Sequence, residues 1–393
     1  MLPDLSLGEI LQRWATGELL TASALREVCS WASAHPPLSK GGWGDTSDAP
    51  LSKGGWGDTS DAPLSKGGWG DEARSWASAH PLEATLQIRF QHLNEIICHP
   101  HFNKIIPNFN LSENSRATQT TLETLWRLWL PLADHLATQQ QTLGRPFVQG
   151  ILGGQGTGKT TLARMVQLIL SQWEPKLRTV CISIDDLYKT YADRQRLQAE
   201  DPRLIWRGPP GTHDVDLGVA VLDALRRGES PVAIPRFDKS AWGGAGDRTT
   251  PEIVTGADIV LFEGWFVGVQ PVPDAAFDNP PEPIITRDDI AFARDMNRKL
   301  QDYLPLWERL DSLMVLYPVD WRLSLPWRQE AERERVALGM GGMTDAQIAD
   351  FVNYFWKALH PELFIEPLLE SGADLVVRIK ADRALDAIYS HLR

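Results

Sequence analysis

The spacing of apolar residues changes character near residue 146. Before that point, LQIRFQHLNEIICHPHF (86–102) and TLETLWRLWLPLADHLATQQQ (121–141) place apolar side chains at i, i+3, i+4 and i+7. That period predicts amphipathic helices within 4–34 and 82–145. After it, short β-rich apolar runs alternate with helical stretches. PFVQGILGG (146–154), LRTVCISID (177–185), ADIVLFEGW (257–265), DSLMVLYPVD (311–320) and ADLVVRIK (373–380) predict five strands, and TTLARMVQLILSQW (160–173) predicts a helix after the first. Such alternation is the signature of an α/β domain with a mostly parallel sheet. The Pro-rich stretch 270–288 predicts a surface loop.

One segment fits neither texture. PLSKGGWGD occurs three times, at 37–45, 50–58 and 63–71, and SWASAHP stands on either side of the array, at 30–36 and 75–81. A 13-residue unit rich in Gly, Ser, Asp and Pro has too little apolar surface to offset its ordering entropy. It is also shorter than the periods of stacking repeats. The sequence therefore predicts a low-complexity insertion at about 31–75 inside a helical N-terminal region, 1–145, followed by a second domain at 146–393.

Composition narrows the function classes. A formal net charge of -12 over 393 residues argues against a nucleic-acid surface. No apolar run reaches the roughly 18 residues a membrane helix needs, and the first residues lack the basic and apolar regions of a signal peptide. Cys29, Cys98 and Cys181 stand far apart with no CxxC pair, which suits a reducing, cytoplasmic setting.

The chemistry begins at ILGGQGTGKTT (151–161). Gly153, Gly158, Lys159 and Thr160 satisfy G-x-x-x-x-G-K-[ST], with a strand before and a helix after, the context the motif requires. Glycines let backbone N–H groups turn toward phosphates, and the helix N-terminus adds positive potential. The expected ATP-binding residues are Gly153, Gly154, Gln155, Gly156, Thr157, Gly158, Lys159, Thr160 and Thr161. Lys159 is expected on the β- and γ-phosphates and Thr160 on Mg²⁺.

Two acids follow at strand ends. In ISIDDLY (182–188), a carboxylate at the end of the second strand faces the γ-phosphate position, where it can take or orient the proton of an attacking hydroxyl. Of Asp185 and Asp186, at least one is read as a cap for the next helix. Glu263 closes IVLFEG and is the acid expected at Mg²⁺ or its water shell. No [NT]KxD guanine-reading motif, second phosphate loop or ABC-type signature accompanies these residues, which favours a small-molecule kinase over a switch, transporter or motor.

DDLY resembles the D-x-F-Y/H motif of the phosphoribulokinase, uridine kinase and pantothenate kinase superfamily, with Leu187 in place of the usual Phe. The resemblance makes Asp185 the catalytic base. RGPPGTHDVDLG (207–218), IPRFDKSAWGGAGDR (234–248), FEGWFVG (262–268), NRKLQDYLPLWERLDSL (297–313) and WRQEAERERVALGMGGMTDAQIADFV (327–352) resemble the plant and cyanobacterial D-glycerate 3-kinases. The likeness runs from about 146 to 393, is weaker in the N-terminal helices and does not cover the repeats. It implies a P-loop NTPase three-layer α/β sandwich preceded by a helical region. It also implies phosphorylation of the 3-hydroxyl of D-glycerate by ATP with Mg²⁺, in photorespiratory carbon salvage. A lid at about 327–345 is implied too, with Arg328 placed to neutralise charge over the phosphates.

The residues themselves agree with a small anionic acceptor. A buried carboxylate needs cationic, hydrogen-bonding partners. His213, Asp214, Lys239 and Arg248 supply these beside flexible glycines, with Arg248 suited to a bidentate grip. On chemistry alone a nucleoside or pantothenate acceptor stays open, as does a non-catalytic ATP-binding protein. For Arg328 the plainer alternative is an i,i+4 ion pair on a solvated helix.

Overall fold

The structure is a computed structural model that describes residues 6–18, 20–21, 24, 27–28, 83–113, 115–337, 339 and 341–391. The repeat array, Cys29 and part of the first expected helical region lie outside the described residues. The chain divides into two compact units, Met1–His135 with Arg164–Gln172, and Leu136–Ala163 with Trp173–His391.

The first unit is helical. Helix α1 (Leu7–Ala15) starts with a capping box in which Ser6 and Glu9 satisfy each other's backbone N–H groups. Helix α2 (Glu83–Ile97) and helix α3 (Arg116–Thr124) follow, the latter capped by Ser115. A π-helical turn at Leu125–Trp129 leads into α4 (Leu130–Leu143). Phe90 packs between Trp14 and Trp126, at ring-centroid distances of 4.6 and 4.7 Å. Gly8 lets α1 close on α3, since a Cβ there would stand 2.9 Å from the Gln119 carbonyl oxygen. None of the helices among the described residues is long and apolar enough to cross a membrane.

In the second unit, β1 (Phe147–Gly153) is buried along its whole length, as expected of a strand covered on both faces. It pairs in parallel with β5 (Ile259–Gly264) and β6 (Ser312–Pro318). β2 (Thr179–Ser183) and β7 (Leu375–Ile379) extend the parallel sheet, and β8 (Leu385–Ser390) closes it antiparallel to β7. The order is β2-β5-β1-β6-β7-β8, with helices on both sides. Helix α5 (Lys159–Gln172) leaves the loop after β1, followed by α6 (Tyr191–Glu200), α7 (Val215–Arg226), α8 (Arg287–Lys299), α9 (Ser324–Ala337) and α10 (Asp345–Ala358).

All five expected strands form, and three further strands were not anticipated. β3 (Val232–Asp238) and β4 (Asp247–Val254) make a separate antiparallel hairpin across the stretch that reads from sequence as a glycine-rich loop. Pro235 falls at a register shift between Ile234 and Arg236, and β4 is mostly exposed. Neither strand therefore carries the apolar run that marks the parallel ones. The 270–288 stretch is the irregular, mostly exposed loop expected of it, anchored at a few points. Phe277 and Ile284 are buried, and Asn297 of α8 both accepts from and donates to the Val272 backbone.

Candidate active site

Strand register brings the catalytic candidates together. Glu263 on β5 pairs with Ile151 on β1 and with Ser183 on β2, so the carboxyl ends of three neighbouring strands finish level with one another. The crevice beyond the carboxyl ends of parallel strands is where α/β sheets place ligands.

The loop after β1 turns through Gly156 and Gly158, with φ of 79° and 84°. Gly156 is required twice over, because a Cβ there would sit 2.7 Å from the Cβ of Trp327 on α9. Trp327 is itself anchored by an indole N–H···O bond of 3.0 Å to Ala381. Thr157 Oγ1 donates to the Gly154 carbonyl at 2.9 Å and Lys159 Nζ donates to the same oxygen at 3.0 Å. Burial pulls the Lys159 ammonium below its ordinary range, against the opposing pull of Glu263 and Asp185. Thr160 Oγ1 and Glu263 Oε1 converge at 3.5 Å, and Thr161 follows in the first turn of α5. Burial raises the Glu263 carboxyl, with Lys159 opposing.

The two aspartates have different surroundings. Asp186 accepts from the Ser183 N–H at 3.0 Å, closing a capping box on the 3-10 turn Ile184–Leu187, and pairs with Arg236 at 2.9 Å. It is the capping member of the pair. Asp185 points its oxygens elsewhere, accepting from Lys239 Nζ at 2.6 Å and from the Tyr188 hydroxyl at 2.7 Å. Burial acts to raise the Asp185 carboxyl, but Lys239 and Tyr188 outweigh it and hold it below the usual carboxylate range. It is ionised at neutral pH.

The four acceptor-side residues lie on the same side of the unit but are not equally free. Asp214 caps α7 through the Leu217 N–H and pairs with Arg248 at 2.7 Å. Arg248 also donates Nε to the Tyr188 carbonyl at 2.9 Å. Two of its donors are thus engaged within the protein, which the sequence reading of an open guanidinium fork did not anticipate. His213 is buried and stacks on Tyr188 at 4.7 Å. Lys239 is exposed on the turn between β3 and β4. Sequence reasoning missed the residues that hold this turn in place. Arg207 donates to the carbonyls of Gly244 and Ala245, while Arg194 donates to those of Ala245 and Gly246. Their partners lie at least 37 residues away, so no local pattern marks them.

On α9, Arg328 pairs with Glu332 at 3.0 Å, the i,i+4 alternative foreseen from sequence, and lies over the Phe351 ring. Glu332 is buried and also accepts from the Met343 N–H at 3.0 Å, tying the glycine-containing 341–343 stretch to the helix. An apolar pocket opens beside Gly154 and Gln155, walled by Trp265, Tyr317, Trp321 and Phe355.

No family model matches the chain. The uncharacterized kinase mug58 of Schizosaccharomyces pombe is 34% identical over 232 residues, which cover 56% of this chain and 82% of that protein. The chloroplastic D-glycerate 3-kinase of Arabidopsis thaliana is 31% identical over 265 residues, or 63% of this chain and 55% of the plant protein. The solved structure of D-glycerate 3-kinase from Cryptococcus neoformans superposes with a TM-score of 0.58 at 25% identity, covering 67% of this chain and 99% of that one. The phosphate loop, the level strand ends and these relatives converge on one assignment: the chain belongs to the glycerate 3-kinase-type family of P-loop kinases.

Proposed function

We propose that the protein transfers the γ-phosphoryl group of ATP to the 3-hydroxyl of D-glycerate, giving 3-phosphoglycerate and ADP. The observation that carries the reading is Asp185, hydrogen-bonded by Lys239 and Tyr188, two residues beyond the point where β2 and β5 end level with the phosphate loop. In the step, the acceptor oxygen bonds to the γ-phosphorus as the β–γ bridging P–O bond breaks. The hydroxyl proton passes to Asp185 and the bridging electron pair leaves with ADP. Lys159 follows the phosphates, leaving its hold on Gly154. Lys239, His213 and Arg248 with Asp214 surround the acceptor, and the exposed ammonium of Lys239 meets the glycerate carboxylate. Arg328 neutralises charge on the phosphates if it exchanges Glu332 for them. Catalysis by positioning and charge is what phosphoryl transfer demands.

Magnesium fits the residues present. Thr160 and Glu263 offer a hydroxyl and a carboxylate, both hard oxygen donors, converging at 3.5 Å. Among the described residues no group of three or more His, Cys, Asp or Glu could hold a metal by itself. That suits an ion that takes one or two protein ligands and completes its shell with water and phosphate oxygens. When bound, it supplies charge neutralisation at the β- and γ-oxygens.

One observation favours a second reading. The aromatic pocket beside Gln155 offers little to a small anion and suits an acceptor with an apolar body, such as a nucleoside or pantothenate. Both readings meet in one assay. ADP release by the purified protein is measured with no acceptor and with D-glycerate, L-glycerate, uridine and pantothenate in turn. D-glycerate is expected to give the highest kcat/KM. Turnover of another acceptor at a higher kcat/KM sinks the glycerate reading, and no acceptor-stimulated release with any of them sinks the kinase step.

A further inference from the structure

Tyr303 ends the 3-10 turn Leu300–Tyr303 and is fully buried. Its hydroxyl lies 2.8 Å from His213 Nδ1 and is met by the His213 backbone N–H and, at 2.8 Å, by the Gly211 amide. The amides can only donate, so the phenol oxygen accepts there. The phenol hydrogen then has His213 Nδ1 as its acceptor. Were Nδ1 to carry the imidazole hydrogen, the phenol hydrogen would be stranded among the rings of Phe266 and Trp307, whose centroids lie 5.1 and 5.8 Å from that of Tyr303. Stranding a buried donor costs about 1–3 kcal/mol. The hydrogen-bond accounting therefore puts the single imidazole hydrogen on Nε2. Burial keeps the ring neutral, with its pKa drawn down to about 3.

That leaves a buried donor with no partner, since His213 Nε2 is shielded from solvent and makes no hydrogen bond within the protein. Buried donors are paired almost without exception, and an exception calls for a reason. The location supplies one. The His213 ring stacks on Tyr188 at 24°, the two residues form a backbone bridge, and the Tyr188 hydroxyl donates to Asp185. The unpaired N–H sits one ring away from the carboxylate that receives the acceptor.

We propose that Tyr303 is a positioning residue that fixes His213 as an Nε2–H donor, and that this donor is held for a carboxylate or hydroxyl oxygen of the acceptor molecule. The inference rests on the reading of this region as the acceptor site. It adds the polarity of the contact. A neutral donor at fixed orientation selects an oxygen that offers a lone pair, and it gains nothing from an ammonium or any other group that can only donate.

Nitrogen NMR of the full chain with ¹⁵N-labelled histidine tests the first half without reference to turnover, with the His213 signals assigned by their loss in His213→Gln. The expected pattern is a protonated Nε2 and an unprotonated Nδ1, with the Nε2 and its proton shifting on addition of D-glycerate. Tyr303→Phe keeps the ring and removes the hydrogen. It is expected to redistribute the tautomers and to raise the KM for D-glycerate about tenfold while leaving the KM for ATP within twofold. A protonated Nδ1 in the wild type overturns the proposal, as does an equal rise in both Michaelis constants. If the tautomer is as expected but D-glycerate neither shifts Nε2 nor is turned over, the donor's assignment to this acceptor falls together with the glycerate reading. Failure at Nδ1 leaves that reading untouched.

Discussion

Lys239 Nζ lies 2.6 Å from Asp185 Oδ2, although 54 residues separate the two along the chain. The pair exists because β3 and β4 fold into a hairpin whose turn reaches the carboxyl end of β2. It places an exposed cation beside a carboxylate held below its usual range, so the two are expected to part when an anionic acceptor enters between them.

Asp185→Asn keeps the shape of the side chain and removes its basicity. Turnover is expected to fall by about two to four powers of ten, the range for a positioned base, with ATP affinity nearly unchanged. Rapid-quench turnover and nucleotide titration measure the two quantities separately. Wild-type turnover in this variant would remove Asp185 from the mechanism.

Lys239→Met bears on pH. Burial drives the Asp185 carboxyl up and Lys239 drives it down. Without the ammonium, the carboxyl titrates at higher pH, so the acidic limb of the kcat/KM profile moves toward neutrality. An acidic limb at the wild-type position means that a group other than Asp185 sets it.

Arg248→Ala removes both the Asp214 pair and the bond to the Tyr188 carbonyl. It is expected to raise the KM for glycerate about ten- to a hundredfold, as loss of a charged hydrogen bond of roughly 1.5–3 kcal/mol implies, with little change for ATP. Because the guanidinium also braces the α7 cap, the melting temperature falls as well. A lower melting temperature with an unchanged glycerate KM would assign Arg248 to structure alone.

His213 and His360 are buried and neutral, with pKa values drawn down by burial to about 3 and about 4. The unfolded chain binds protons at these positions near the ordinary value of 6.5 and the folded chain does not. Between pH 6.5 and those lower values the unfolded state therefore holds more protons, and stability falls as pH falls. Each site contributes at most about 1.4 kcal/mol per pH unit in that window. Denaturant midpoints from pH 7 to pH 4 should decline in the wild type and decline less steeply in His213→Phe. A parallel slope in the variant would show that His213 does not stay neutral.

What the sequence determined by itself is what is written in contiguous residues. The parallel strands β1, β2, β5, β6 and β7 announce themselves because strands buried on both faces need unbroken apolar runs. The phosphate loop is legible because its glycines, lysine and threonine lie together in one short contiguous stretch of chain. Asp185 and Glu263 could be placed at strand ends, and the capping role of one aspartate could be foreseen, because caps and strand ends are local features. The tertiary structure alone decided the rest. β3 and β4 are exposed, interrupted by Pro235 and Pro251, and depend on each other for pairing, so no hydrophobic period reveals them. Which aspartate caps and which faces Lys239 depends on Arg236 arriving from β3. Whether Arg248 is free depends on Asp214, 34 residues earlier, and the tautomer of His213 depends on Tyr303, 90 residues later. Those contacts are products of topology, since hydrogen bonds between side chains act over about 3 Å of space and carry no signal along the chain.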